Sequence, residues 1–348
     1  MKFTKAQFEA HSRKLAMDYG IHIPMAVGYL DRDITHDINV AMDAQPTMIT
    51  QSNAGIPAYL TNYIDPEMYR IMVTPNKGAL ILGEKKTGDW TTKSAQFPFV
   101  ESTGEVTSYG DYNNNGSVGS NVNWMPRQSY HFQTVTIWGE LEMEMYGLAK
   151  IDEAANLNIA STLAIEKFRN KSYFSGISGL QNYGILNDPN LSTPIAPAAT
   201  GTGSGTLWAT KDGGPIYGDF VLLFQQLVLQ SRGLIEMTDA MKFCMSPEIS
   251  VNLTKTNQYN VNVMDQVKKN FPNATIETAV EYATAGGQLV QLIVPAIEGQ
   301  STGYCSFTEK MRAHPVIPDL SSWKQKKSSG TWGAIIKAPL GIAQLLGV

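Results

Sequence analysis

The chain has 348 residues, a formal net charge of −4, and only 17% charged residues, below the roughly 25% usual for soluble domains. That length can bury a substantial core and hold two or three lobes. The charge balance argues against a tight, salt-dependent grip on nucleic acid, and Lys324, Lys326 and Lys327, the nearest thing to a basic patch, read as a solvated loop.

Residues 1–60 look like an arm. A short amphipathic helix over Thr4–Tyr19 gives way to polar, small-residue sequence with too little apolar surface to fold alone. The next segment, 61–139, opens with NYIDP and a short helix through Met68 to Val73. Between Glu84 and Gln128 the helical period disappears, and threonine, glycine, asparagine and aromatics dominate. This predicts a long two-stranded excursion with an asparagine-rich turn around Asn113 to Gly119. A lone hairpin is marginal in water and leaves unpaired edges, so one projecting from a compact body implies a partner to lie on.

Segment 140–216 begins with the longest uninterrupted helical pattern, Glu140 to Gly176, after a strand at YHFQTVTIWG. Leu141, Met145, Leu148, Ala155, Ile159 and Leu163 mark one apolar stripe. Glu140, Glu142 and Glu144 at the start and Lys167, Arg169 and Lys171 at the end match the helix dipole, which accounts for the glutamates without catalysis. About thirty residues at ~1.5 Å rise make a rod of roughly 45 Å. A glycine-, threonine- and proline-rich loop follows. Over 217–310, helices at YGDFVLLFQQLVLQSRG and VNVMDQVKKNF alternate with strands at MKFCMS, ATIETA and QLVQLIVPA, which predicts a mixed α/β lobe. Residues 311–348 return as apolar strands, with a loop at Ser328 to Gly330.

Motifs that carry chemistry are nearly absent. GALILGEKK departs from the phosphate-loop pattern because Glu84 stands at the lysine position. Asp111, Asn113, Asn115 and Gly116 match the first half of a calcium loop, but Val122 stands where the bidentate glutamate belongs, which leaves an asparagine-rich turn. The five histidines form no metal-binding pair, and His131 reads as a packed histidine. Cys244 and Cys305 read as buried or half-buried thiols rather than a redox pair. No signal core or ~18-residue apolar run appears, so no membrane partner is expected. The expectation is no enzyme, no catalytic, cofactor-binding or metal residue, and no cofactor.

The order of elements, with NYIDP and TPNKGALILGE, IWGELEMEMYGLAKID, GILNDPN and SSGTWGAIIKAPLGIAQLL, resembles the tailed-phage major capsid proteins of the Hong Kong 97-type α+β fold. The resemblance runs from about residue 55 to the C-terminus. It implies an N-arm (1–60), a lead-in and extended hairpin or E-loop (61–139), a spine helix and peripheral domain (140–216), an axial domain (217–310) and returning peripheral strands (311–348). It further implies a subunit that assembles in the host cytoplasm, as pentamers and hexamers, into an icosahedral phage head enclosing double-stranded DNA. The implied partners are further copies of itself, a separate scaffolding protein, a portal, decoration proteins, and packaged DNA contacted non-specifically. An encapsulin-like nanocompartment shell is the nearest alternative, and a calcium-stabilised β-rich tail or adhesin protein is the second.

Overall fold

The computed structural model describes residues 74–148 and 152–348. The arm, the helix expected over Met68–Val73, and His11, His22 and His36 lie outside the described residues. The first described elements are α1 (Gly78–Leu82), β1 (Glu84–Lys86), β2 (Ser94–Glu105), β3 (Ser117–Gln128) and β4 (Tyr130–Gly139). Strands β2 and β3 form an antiparallel hairpin with register from Ser94↔Gln128 to Glu105↔Ser117.

The long helical pattern is two helices rather than one rod, α2 (Glu140–Leu148) and α3 (Glu153–Ser175). The Asp152 side chain accepts a hydrogen bond from the Ala155 amide at 3.0 Å and caps α3 as a fresh helix start. Gly147, a weak helix former, stands next to the last residue of α2. The predicted stripe is not the buried face either. Leu141, Met145, Leu148 and Leu163 are exposed, whereas Ser161, Ile165 and Ser172 are buried. Small serines let α3 lie close on the sheet, where the Ser172 and Thr331 hydroxyls pair at 3.0 Å. The last turn of α3 holds no basic residue, so dipole matching at that end fails as well.

Beyond the loop come α4 (Gly213–Ser231), β5 (Met241–Met245), α5 (Pro247–Ser250), α6 (Val263–Asn270), β6 (Ala274–Thr278), β7 (Ala283–Thr284), β8 (Gly287–Ile293), β9 (Ala296–Ile297) and β10 (Gln300–Ser301). Then follow β11 (Gly303–Asp319), β12 (Ser322–Ile336) and β13 (Ile342–Leu346). Helices α5 and α6 supply the crossover that lets β5 and β6 run parallel. The lobe sheet runs β13-β8-β5-β6, with β7 on β8. Its core is aromatic: Phe220, Phe243 and Phe271 meet in T-shaped contacts at 5.0 and 5.8 Å.

A second sheet, β1-β11-β12-β4, forms a platform under α3. Two expectations fail here. The strand β12 runs straight through Ser328–Gly330, where a loop was expected, with Ser328↔Gln133 and Gly330↔His131 in register. The platform strand β11 also begins at Gly303, inside the segment assigned to the lobe, while β13 pairs with β8 in the lobe sheet. A second core cluster, including Ile81, Phe174, Cys305, Ile336 and Ile342, joins helix, platform and lobe.

Candidate inter-subunit surfaces

Among the described residues, the hairpin is held at its root only. Phe97 and Met125, directly paired across β2 and β3, are buried against Trp332 and Ile335 of β12. Arg127 donates to Asp188 at 2.5 Å, and its guanidinium stacks over Tyr183 at 4.7 Å. Both side chains of this ion pair are buried; burial pushes the Asp188 carboxyl up, against the pull of Arg127. Trp90 meets His131 edge-on with ring centroids 4.5 Å apart.

Beyond the root the hairpin changes character. Strand residues alternate faces, so the face that begins with Phe97 and Met125 continues as Glu101↔Asn121, Thr103↔Gly119 and Glu105↔Ser117. The opposite face carries Pro98↔Trp124, Val100↔Val122 and Gly104↔Val118. Trp124, Val100, Val122 and Val118 are 54%, 68%, 52% and 85% exposed, an exposed apolar row. At the tip, Tyr109 and Tyr112 are also fully in the open.

The platform has a second bare face. Register places Thr134, Thr136 and Trp138 of β4 level with Lys327, Gln325 and Trp323 on the α3 side. Lys327 is buried there and donates to Asn158 Oδ1 at 2.9 Å and Ser161 Oγ at 2.7 Å, so it is no part of a solvated patch; burial alone pulls its ammonium pKa down. The other face presents Val135, Ile137 and Ile317, all exposed, with Lys324 and Lys326 between them.

Platform and helix are tied through Glu84, which accepts from Tyr173 Oη at 2.9 Å, pairs with Lys310, and lies 3.6 Å from Arg169 Nε. Burial works to raise the Glu84 carboxyl, but the Lys310 and Tyr173 hydrogen bonds and the two cations outweigh it, and the net shift is downward. α1 is clamped at both ends: Asn170 Oδ1 accepts from the Gly78 amide at 2.9 Å, and Lys242 Nζ donates to the carbonyls of Leu80 and Ile81 at 2.8 and 2.9 Å.

The motifs weighed in the sequence land apart from one another. Asp111 accepts from Tyr109 Oη at 2.8 Å and the Asn113 side chain donates to Ser108 O at 3.1 Å, so the calcium-like stretch is a self-bonded exposed turn. Among the described residues, no group of three or more His, Cys, Asp or Glu is placed to hold a metal. Glu140 and Glu142 occupy the first turn of α2. Cys244 and Cys305 are buried and unpaired, and burial pushes the Cys244 thiol up to about 12. His314 Nε2 meets Ser328 Oγ at 3.0 Å.

Among the described residues, two buried ion pairs carry no motif and were missed from sequence. One is Arg127–Asp188. The other is Lys211 Nζ to Asp219 Oδ2 at 2.6 Å, where Trp208 Nε1 also donates at 2.8 Å. The signal for the second pair was Asp219, a charged residue inside the apolar run YGDFVLLF, and no comparable signal marks Arg127 or Asp188.

The family described as Pa193 gp26 major capsid protein matches residues 47–347. Among solved structures, the capsid of Myoviridae phage XM1 is similar with a TM-score of 0.70 at 13% identity, covering 85% of this chain and 100% of that one. The capsid of an empty GTA particle gives 0.56 at 10%, covering 83% and 95%. Mycobacterium phage Ogopogo gives 0.55 at 8%, covering 82% and 96%. No curated protein sequence matches the chain.

Proposed function

The chain belongs to the Pa193 gp26 major capsid protein family, and we propose that it builds an icosahedral phage head around double-stranded DNA from pentamers and hexamers of this one subunit. It is a structural capsid protein with a fold of the Hong Kong 97 type, it self-associates into shells, and its place is the capsid of the virion. The family match sets aside the β-rich adhesin reading and favours a phage head over an encapsulin-like compartment.

In the proposed arrangement the lobe of β5–β8 and α4–α6 meets its copies around the five- and six-fold axes. The α3 platform forms the peripheral wall, and the hairpin lies over a neighbouring subunit. Scaffolding and portal proteins join during assembly in the host cytoplasm, decoration proteins attach to the shell, and the DNA is contacted without sequence preference. The subunit performs no catalysis. The observation that carries this reading is the hairpin itself, twelve residues per strand and, among the described residues, buried only at its root. Such a projection is stable when a partner covers it. Light scattering and negative-stain microscopy of the chain expressed alone test it: closed shells or capsomer rings are expected. A monomer that persists at high concentration and under crowding contradicts it.

A further inference from the structure

The asparagine-rich turn that closes the hairpin, residues 106–116, has no role in the capsid assignment. We propose that Asn115 in this turn is a site of spontaneous deamidation, driven by the main-chain nitrogen of Gly116, and that seating the hairpin in a shell slows it. The chemical step needs nothing from the capsid assignment; the slowing by assembly rests on it.

Three observations carry this. First, Asn115–Gly116 is the one Asn-Gly step in the chain. Closing a five-membered ring onto a side-chain amide needs an unhindered main-chain nitrogen and a freely turning backbone, and glycine supplies both best. Asn113 and Asn114 share the turn, but each is followed by another asparagine, whose Cβ crowds the approach.

Second, the turn leaves Asn115 loose. All of residues 106–116 are exposed, and the ladder closes at Glu105↔Ser117, so Asn115 and Gly116 lie beyond its last pair. Asn113 is tied down: its amide donates to Gly110 O at 2.9 Å and its side chain to Ser108 O at 3.1 Å. The Asn115 side chain makes no hydrogen bond among the described residues, so its carboxamide can swing onto the next nitrogen.

Third, the shape of the turn does not explain the glycine. Among the described residues, the glycines with positive φ do not include Gly116. A Cβ built on it would meet only Glu105 O at 3.6 Å and Thr107 Oγ1 at 3.7 Å, which are ordinary contacts. Alanine would fit.

In the reaction the Gly116 nitrogen loses its proton to solvent and attacks Asn115 Cγ. The N–Cγ bond forms, the Cγ–Nδ2 bond breaks, and Nδ2 takes up a proton and leaves as ammonia. Water then opens the cyclic imide at either carbonyl. One opening gives aspartate, and the other gives isoaspartate, with the main chain rerouted through the side chain. Either product adds a negative charge to a hairpin that from Pro98 to Asn123 already holds Glu101, Glu105 and Asp111 and no basic residue. Ring closure needs the backbone around Asn115 to rotate into an attacking geometry, so a neighbour that covers and stiffens the tip slows it. Subunits left unassembled thus gain a charge and a rerouted backbone with time, while assembled ones keep asparagine.

The full chain is incubated as free subunits and, in parallel, as shells checked by microscopy. The tryptic peptide 94–127 is then sequenced by mass spectrometry, with isoaspartate scored by enzymatic methylation. In free subunits, conversion at Asn115 should outrun that at Asn114 by about tenfold or more, and Gly116→Ala should slow it by a similar factor. The rate should rise with pH, because the attacking nitrogen must lose its proton. Shells should convert several-fold more slowly than free subunits. Conversion at Asn115 no faster than at Asn114, or unchanged by Gly116→Ala, overturns the proposal. Equal rates in free subunits and shells overturn the protection alone. A chain that converts at Asn115 but forms no shells overturns the capsid assignment and the protection with it, while the Asn115 chemistry stands.

Discussion

The α/β lobe and the β2–β3 hairpin answer the need to cover apolar surface in opposite ways. In the lobe, Phe243 of β5 touches Phe220 of α4 and Phe271 after α6, and all three rings are essentially inaccessible. In the hairpin, Phe97 and Met125 are the buried apolar residues, and Trp124, Val100 and Val118 face outward. Burial inside one subunit fixes a shape, whereas exposure on a projecting ribbon leaves contacts to be made, broken and remade between subunits. A shell protein needs both, and the chain keeps them in separate regions joined by the platform.

The comparison is broken most severely from the lobe side. Phe243→Ala should cost about 3–5 kcal/mol through lost burial and the cavity left behind, read as a large fall in the denaturant midpoint of the isolated subunit. Asp219→Ala should cost about 3 kcal/mol or more, because it strands the Lys211 ammonium in a site where both side chains are fully buried. Lys211→Met combined with Asp219→Leu should lose much less, since no buried charge is left alone.

A pH series tests the platform that joins the two regions, at the point where Glu84 ties it to α3. Glu84 is held below its usual value of 4.5, so the folded state favours its ionised form. Its contribution is present above pH 4.5 and is lost as pH falls through the lowered value. Denaturation midpoints measured from pH 6 downward should therefore fall on the acid side, and Glu84→Gln should flatten that fall. A variant as acid-sensitive as the parent would remove Glu84 from the account.

The smallest effect on folding is expected in the hairpin. Val122→Asp should change subunit stability by no more than about 0.5 kcal/mol, as surface changes usually do, yet abolish shells. Comparable losses of stability at Val122 and Phe243 would erase the distinction between the regions.

Much of this division was legible in the sequence, for physical reasons. The hairpin was visible because threonine, glycine and asparagine end the helical period, and the lobe because helical runs alternate with short strands. The failures share one cause, which is that local pattern does not name the partner. Lys327 and Ser328–Ser329 look solvated, but β12 is an inner strand and Asn158 and Ser161 of α3 satisfy the ammonium. Leu141, Met145 and Leu148 do form an apolar row, but among the described residues it stays exposed, and Asp152 opens a new helix after it. The strand β13 is apolar enough for either sheet, and only its register with β8 assigns it to the lobe. The bare faces of hairpin and platform were hidden for the same reason, since an exposed valine becomes informative only once its cross-strand neighbours are known.

The most direct measurement is hydrogen exchange on the same chain as free subunits and as assembled shells. The account predicts that amides of residues 94–128 exchange quickly in the free subunit beyond the Phe97–Met125 root and slow sharply in the shell. Amides of β5 and α4 should be protected equally in both. A hairpin already protected in the free subunit, or still unprotected in the shell, would contradict it.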